Sequence, residues 1–413
     1  MTAGAATAAP SRAGVHWPVV TFAFLAVIFD GFDTAVLSLS VPTLAADWRV
    51  PPAEFTLPLT LTSIGVVLGY LVSGTAAAWL GRRRLLLAGL AVFGVSTLLC
   101  AAVLPLQSIA ALAVVRLVTG LGLGAVVPIA VTYATGHSAA ERRATVTTMV
   151  MLGITVGVTI SGFLGGHLVT AVGVGGVFVI GGIAPLLLVA VTAWRLPADA
   201  QIGPAEAARE DAHVGRVFGD GLRGSTILLW TFAFFVFIAV HTLLSWVPTL
   251  LMDYGFARSE APLGLAFISL GGLIGGLVLV PLTARIGIGP SLVLMPAVAV
   301  GCMVVASRAE LGHTPLLVVL GGAGLGVFAS QIAMMAMAVS IYPDLIRTTG
   351  LGWTAALGRI GSIVGPAVAG LLLALALPAR DIVLLTTVPV LVGVAAALVL
   401  TLRGRRRGPS PTD

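Results

Sequence analysis

Residues 17–45 read WPVVTFAFLAVIFDGFDTAVLSLSVPTLA, and the two charges in this stretch are Asp30 and Asp33. A helix rises 1.5 Å per residue, so a stretch of this length exceeds the ~30 Å hydrocarbon layer of a bilayer. The segment is therefore read as a membrane span with two carboxylates in its middle. The rest of the chain follows the same pattern. Of its 413 residues 58% are hydrophobic and only 9% charged, with a mean hydropathy of +1.10. A soluble domain carries about a quarter charged residues, so the composition excludes a soluble enzyme and indicates a polytopic membrane protein.

Turn residues and charges divide the sequence into twelve apolar segments, at about 17–45, 55–80, 84–104, 107–135, 143–171, 175–194, 225–252, 260–284, 289–307, 314–341, 348–376 and 380–402. The net charge of +6 would suggest nucleic acid in a soluble protein; here topology explains it and no nucleic-acid partner is expected. All 22 basic residues are arginine. With the N-terminus inside, 16 of them fall on the cytoplasmic side, while Arg49, Arg258, Arg308 and Arg380 face out. This is the positive-inside bias, and it predicts cytoplasmic termini. No separate apolar leader precedes a cleavage site, so the first segment is read as the insertion signal.

The polar stretch 195–224 separates the segments six and six. The expected organisation is a tail over 1–16, a six-helix bundle over 17–194, a cytoplasmic linker with a short amphipathic helix over 195–224, a second bundle over 225–402, and a basic tail over 403–413. The halves resemble each other. Gly120 to Gly124 (GLGLG) corresponds to Gly322 to Gly326 (GAGLG) at an offset of 202, and Leu152, Gly153 and Gly165 match Leu357, Gly358 and Gly370 at 205. Gly81 and Gly287 occupy like positions in the loops after segments two and eight. Repeated halves are characteristic of secondary transporters, with the binding site near the midplane between them.

Asp30 and Asp33 lie one turn apart and share a helix face. A charged residue at the bilayer centre costs about 2.5–3.5 kcal/mol on insertion scales, so neither should face lipid. Neighbouring carboxyls in a low-dielectric cavity are suited to take up and release a proton; alternatively, one of them, Asp33 first, hydrogen-bonds a neighbouring helix. Arg116 and Arg359 are placed equally deep and make the buried set formally neutral. Each arginine either braces an aspartate or clamps the carboxylate of a substrate, since a guanidinium is a bidentate partner for both. His241 and Gln331 are candidate polar groups of a cavity, and Trp246 and Trp353 candidate covers for a ring. Cys100 and Cys302 have no metal or disulfide spacing. There is no phosphate-cradling Gly-Lys-Ser/Thr loop and no metal cluster, so no cofactor and no catalytic site are expected.

These motifs resemble the major facilitator superfamily and, within it, the aromatic acid:proton symporters, over nearly the whole chain. DGFDTAVLS resembles that subfamily's first-segment motif. RLVTGLGLGAVVP resembles the superfamily's R-x-x-x-G-x-G-x-G pattern, with its arginine at Arg116. GHSAAERRAT matches the loop that follows, carrying Glu141, Arg142 and Arg143. YPDLIRTTGLGWTAALGRIGSIVGP resembles the junction of segments ten and eleven, carrying Arg347 and Arg359. The resemblance implies two six-helix bundles in the inner (cytoplasmic) membrane, expected to be monomeric. It further implies import of a small aromatic carboxylate of the benzoate and hydroxybenzoate class with protons. Asp30 and Asp33 would couple the protons and Arg116, Arg359, Gln331, His241, Trp246 and Trp353 would bind substrate. Gly74, Gly81, Arg82, Arg83, Glu141, Arg142, Arg143 and Arg347 would form the gating loops. A proton-driven exporter of a small organic molecule is the competing expectation. One loop departs from the superfamily pattern: GTAAAWLGRRR has Ala78 and Trp79 where the usual Asp-Arg of a charge latch would stand.

Overall fold

The computed structural model describes residues 15–139, 142–195, 214–219 and 221–406. They fold into helices α1 (Trp17–Trp48), α2 (Thr56–Leu80), α3 (Arg82–Val103), α4 (Ile109–Gly136), α5 (Arg143–Arg195), α6 (Arg223–Asp253), α7 (Leu263–Ile286), α8 (Ile288–Arg308), α9 (His313–Ile341), α10 (Asp344–Ala374), α11 (Ala379–Leu385) and α12 (Thr387–Arg406). Short 3-10 turns occur at Pro52–Phe55, Leu104–Leu106 and Val214–Phe218. Among the described residues, eleven helical stretches are long and apolar enough to cross a membrane, α11 and α12 together supplying the last, Ala379–Arg403. Large apolar side chains point away from the protein: Leu71, Leu187 and Val280 are 67%, 62% and 70% exposed. Only a lipid surrounding makes such a surface favourable.

The sequence predicts separate segments at 143–171 and 175–194, and α5 (Arg143–Arg195) divides between them. The break is a single residue, Gly173, at φ 70° and ψ 170°, a backbone region that essentially only glycine enters. The chain reverses there. The first arm follows α1, with Gly153 against Phe24 and Gly165 against Leu39; the second returns along α3, with Gly182 against Gly94 and Leu98. Of the expected linker, residues 196–213 and 220 lie outside the described residues, and the expected short amphipathic helix with them; 214–218 form a 3-10 turn.

The helices before residue 196 and those after 222 pair in the same pattern. Helix α4 packs on α2 and α3, and α9 packs on α7 and α8; α1 lies on α5, and α6 on α10. The glycine motifs make the first of these contacts close. Gly120 and Gly124 face the Thr62 and Val66 carbonyls of α2, and Gly324 faces that of Ile268 on α7, leaving no room for a Cβ. Gly81 (φ 81°, ψ 153°) and Gly287 (φ 85°, ψ 166°) form equivalent corners between α2 and α3 and between α7 and α8.

The two sets of helices meet along a seam at one end of the molecule. Gly162 of α5 abuts Ala266 of α7, Gly166 abuts Ser259 in the α6–α7 connection, and Gly370 of α10 abuts Thr56 at the start of α2. Backbone lies against backbone or a small side chain at each point, so this end is shut. A cavity of about 280 Å³ remains there between the ends of α1 and α6, lined by Pro42, Val50, Thr249, Met252 and Arg258. None of the buried charges lines it.

Candidate functional site

The four intramembrane charges separate into a closed pair and an open one. Asp33 on α1 is fully buried and Arg116 on α4 is 1% exposed. Arg116 Nη1 donates to Asp33 Oδ2 at 2.8 Å, and Thr97 Oγ1 of α3 donates to Asp33 Oδ1 at 3.0 Å. Arg116 Nε donates to Thr62 Oγ1 of α2 at 3.2 Å. The Thr62 hydroxyl itself donates to the Pro58 carbonyl one turn back at 2.6 Å. This network ties α1, α2, α3 and α4 together with both charges satisfied. Asp33 and Arg116 are thus each other's charge partner in this arrangement.

Asp30, one turn before Asp33, is placed differently. It retains 8% exposure and has no hydrogen bond or ion pair among the described residues. The charges acting on it are those of Arg359 and Asp33. Arg359 on α10 is half-buried and pairs with no carboxylate among the described residues. Its Nη2 instead donates to the Tyr70 hydroxyl of α2 at 2.9 Å, and its guanidinium carbon lies 4.5 Å from the Tyr70 ring centroid. A planar guanidinium over an aromatic face is a favourable cation–π arrangement. His241 on α6 stacks on Phe237 with centroids 5.7 Å apart, its Nδ1 lying 3.1 Å from the Phe237 carbonyl oxygen. Arg359 is the charge that acts on His241. Asp30, Tyr70, His241 and Arg359 thus come from α1, α2, α6 and α10, which belong to both sets of helices.

The other candidates lie apart from this group. Trp246 is fully buried and donates its indole N–H to the Pro366 carbonyl at 3.0 Å, joining α6 to α10. Trp353 is 41% exposed and stacks on Trp230 with centroids 5.9 Å apart. Gln331 is half-buried on α9 and makes no hydrogen bond to the central charges. Tyr70 was not singled out from sequence. Its signal was a phenol at mid-depth in an apolar helix, where a tyrosine hydroxyl needs a partner.

In the loops, Gly81 forms the α2–α3 corner, while the side-chain environment of Gly74, like the side chains of Arg143 and Arg347, lies outside the described residues, as does Glu141 entirely. Arg142 is exposed. Arg82 Nη1 donates to the Thr132 carbonyl of α4 at 3.4 Å and Arg83 Nη2 to the Ala193 carbonyl of α5 at 2.7 Å. Ala193 sits in the last turn of α5, where carbonyls lack intrahelical partners and the helix dipole favours a cation; the Thr132 carbonyl also accepts from the Thr135 hydroxyl of α4 at 3.3 Å. Trp79, in the position next to Ala78, is 90% exposed.

The family model for the Major Facilitator Superfamily matches residues 23–327. A gallate transporter of Pseudomonas putida is 30% identical, the match covering 96% of this chain and 93% of that protein. The 4-hydroxybenzoate transporter PcaK of Pseudomonas aeruginosa is 29% identical over 93% of this chain and 92% of that protein. Among solved structures, that of a D-xylose-proton symporter superposes with a TM-score of 0.76 at 17% identity, covering 93% of this chain and 97% of the other; this likeness concerns the fold alone. With paired helix sets, a charge group between them and a family match across most of its length, this chain belongs to the Major Facilitator Superfamily and is a multi-pass membrane transporter, not an enzyme.

Proposed function

We propose that the protein imports a small aromatic carboxylate of the benzoate and hydroxybenzoate class together with a proton, by alternating access. One observation carries the reading: among the described residues, Arg359 stands between the two helix sets without a carboxylate partner, and Asp30, whose charge it acts on, makes no ion pair. A half-buried guanidinium within the membrane-spanning helices suits a substrate carboxylate, and the named relatives are transporters of gallate and 4-hydroxybenzoate. In this scheme Asp30 takes the proton, and Arg359 takes the substrate carboxylate, with His241 alongside. Asp33 and Arg116 hold the first set of helices in register. Loading both ligands neutralises the open group, and the sets can then rock about it.

The two arms of α5 are counted as separate spans, giving twelve, with bundles over 17–194 and 225–402. Both termini and the 195–224 linker are cytoplasmic, consistent with the arginine distribution. The shut seam then faces outward, and the state described here opens to the cytoplasm. The protein acts as a monomer in the inner membrane.

The test is uptake of labelled benzoate, 4-hydroxybenzoate, protocatechuate and gentisate into proteoliposomes under an inward proton gradient, with Asp30→Asn in parallel. Accumulation that collapses with the gradient and in the variant is expected. Accumulation only when the gradient is reversed would mean export.

A further inference from the structure

We infer that Tyr70 is the stand-in ligand of Arg359: its phenol holds the guanidinium while the site is empty and yields that place to the substrate's carboxylate. The inference rests on the assignment of Arg359 as the anion site.

Three observations lead to it. First, among the described residues no carboxylate pairs with Arg359, because Asp33 is committed to Arg116 at 2.8 Å and Asp30 makes no ion pair. A guanidinium at this depth still requires an acceptor, and the Tyr70 hydroxyl at 2.9 Å supplies one. Second, the strength of that acceptor is intermediate. A neutral hydroxyl satisfies the cation, but a carboxylate forms shorter, bidentate, charge-assisted bonds roughly twice as strong. An aspartate at position 70 would hold Arg359 permanently and compete with any anionic substrate, whereas a phenol can be displaced. The ring face 4.5 Å from the guanidinium carbon keeps its contact when the hydroxyl lets go. Third, the bond crosses between the helix sets, from α2 to α10. Tyr70 lies fourteen residues beyond Thr56, and Arg359 eleven before Gly370, so the bond is well inside the Thr56–Gly370 contact of the seam. Arrival of the anion therefore severs a polar link between the sets. Substrate recognition and release of the conformation become one event.

Tyr70→Phe isolates the hydroxyl, since it keeps the ring. The experiment uses the full chain in detergent, with spin labels at Gln107→Cys and Glu310→Cys after replacing Cys100 and Cys302 by alanine. Both label sites are exposed and lie in the connections α3–α4 and α8–α9. In the absence of any substrate, Tyr70→Phe is expected to shift the label distances toward the longer, seam-open population; distances identical to the parent would overturn the link. In titrations with benzoate, Tyr70→Phe is expected to bind roughly 3- to 10-fold tighter, the worth of one displaced hydrogen bond. Unchanged or weaker binding would overturn the displacement. Arg359→Ala should open the seam likewise but abolish benzoate binding, so that the two ends of one hydrogen bond move affinity in opposite directions. A purely structural tyrosine would not produce that split. Should the parent bind none of the aromatic acids, the function proposed above fails, while the substrate-free distances still decide whether Tyr70 links the sets.

Discussion

Breaking the Asp33–Arg116 pair from one side should cost far more than removing it whole. Arg116→Met leaves the Asp33 carboxylate with the Thr97 hydroxyl as its remaining donor, at a site with no solvent access. Loss of one partner from a buried ion pair costs about 3–5 kcal/mol, and Asp33→Leu should cost a similar amount by stranding Arg116. The double variant Asp33→Leu/Arg116→Met strands neither charge. Thr62 loses nothing essential, since its hydroxyl already donates to Pro58. Thr97 loses its acceptor, a cost of about 1 kcal/mol. The double variant is therefore expected within about 1 kcal/mol of the parent, because apolar replacement of a whole buried pair is near neutral. Equilibrium unfolding in mixed micelles titrated with sodium dodecyl sulfate, followed by far-UV circular dichroism, measures all four proteins. A double variant that loses the sum of the single losses would refute the pairing. If the double variant folds yet loses proton-driven uptake, Asp33 or Arg116 belongs to the transport machinery and not to a brace.

Two further outcomes follow from backbone geometry. Gly173→Ala forces a Cβ into φ 70°, ψ 170° and should destabilise the protein by about 1–3 kcal/mol, read in the same unfolding titration; parent-like stability would show that the reversal is made otherwise. Gly166→Leu places a side chain against the Ser259 carbonyl and should hold the seam open, lengthening the Gln107–Glu310 label distance. A parent-like distance would show that the seam does not close through this contact.

Most of the helices were legible from apolar length and arginine placement, because a bilayer imposes both requirements on the chain directly. The division of α5 was legible too, since segments ending at 171 and resuming at 175 bracket Gly173; the form of the reversal, a single residue at φ 70°, was not. At the centre, formal neutrality of two aspartates and two arginines was readable, but their partners were not. Which arginine meets Asp33 depends on how α1 and α4 are rotated about their axes, and Arg116 is 83 positions away. Tyr70 and Arg359 are 289 positions apart, beyond the reach of any spacing argument. Trp246 read from sequence as a possible ring cover, yet its indole is used inside the bundle.

The arginines at the α2–α3 corner have a consequence for acid tolerance. Arg82 and Arg83 clasp main-chain carbonyls of α4 and α5, and the carboxylate of the usual latch is replaced by Ala78. A peptide carbonyl does not titrate, so these clasps keep their strength as the adjoining compartment acidifies, where a carboxylate latch would slacken on protonation. For a carrier proposed to bring both protons and weak acids into the cell, these two clasps are thereby indifferent to the acidity its own turnover creates.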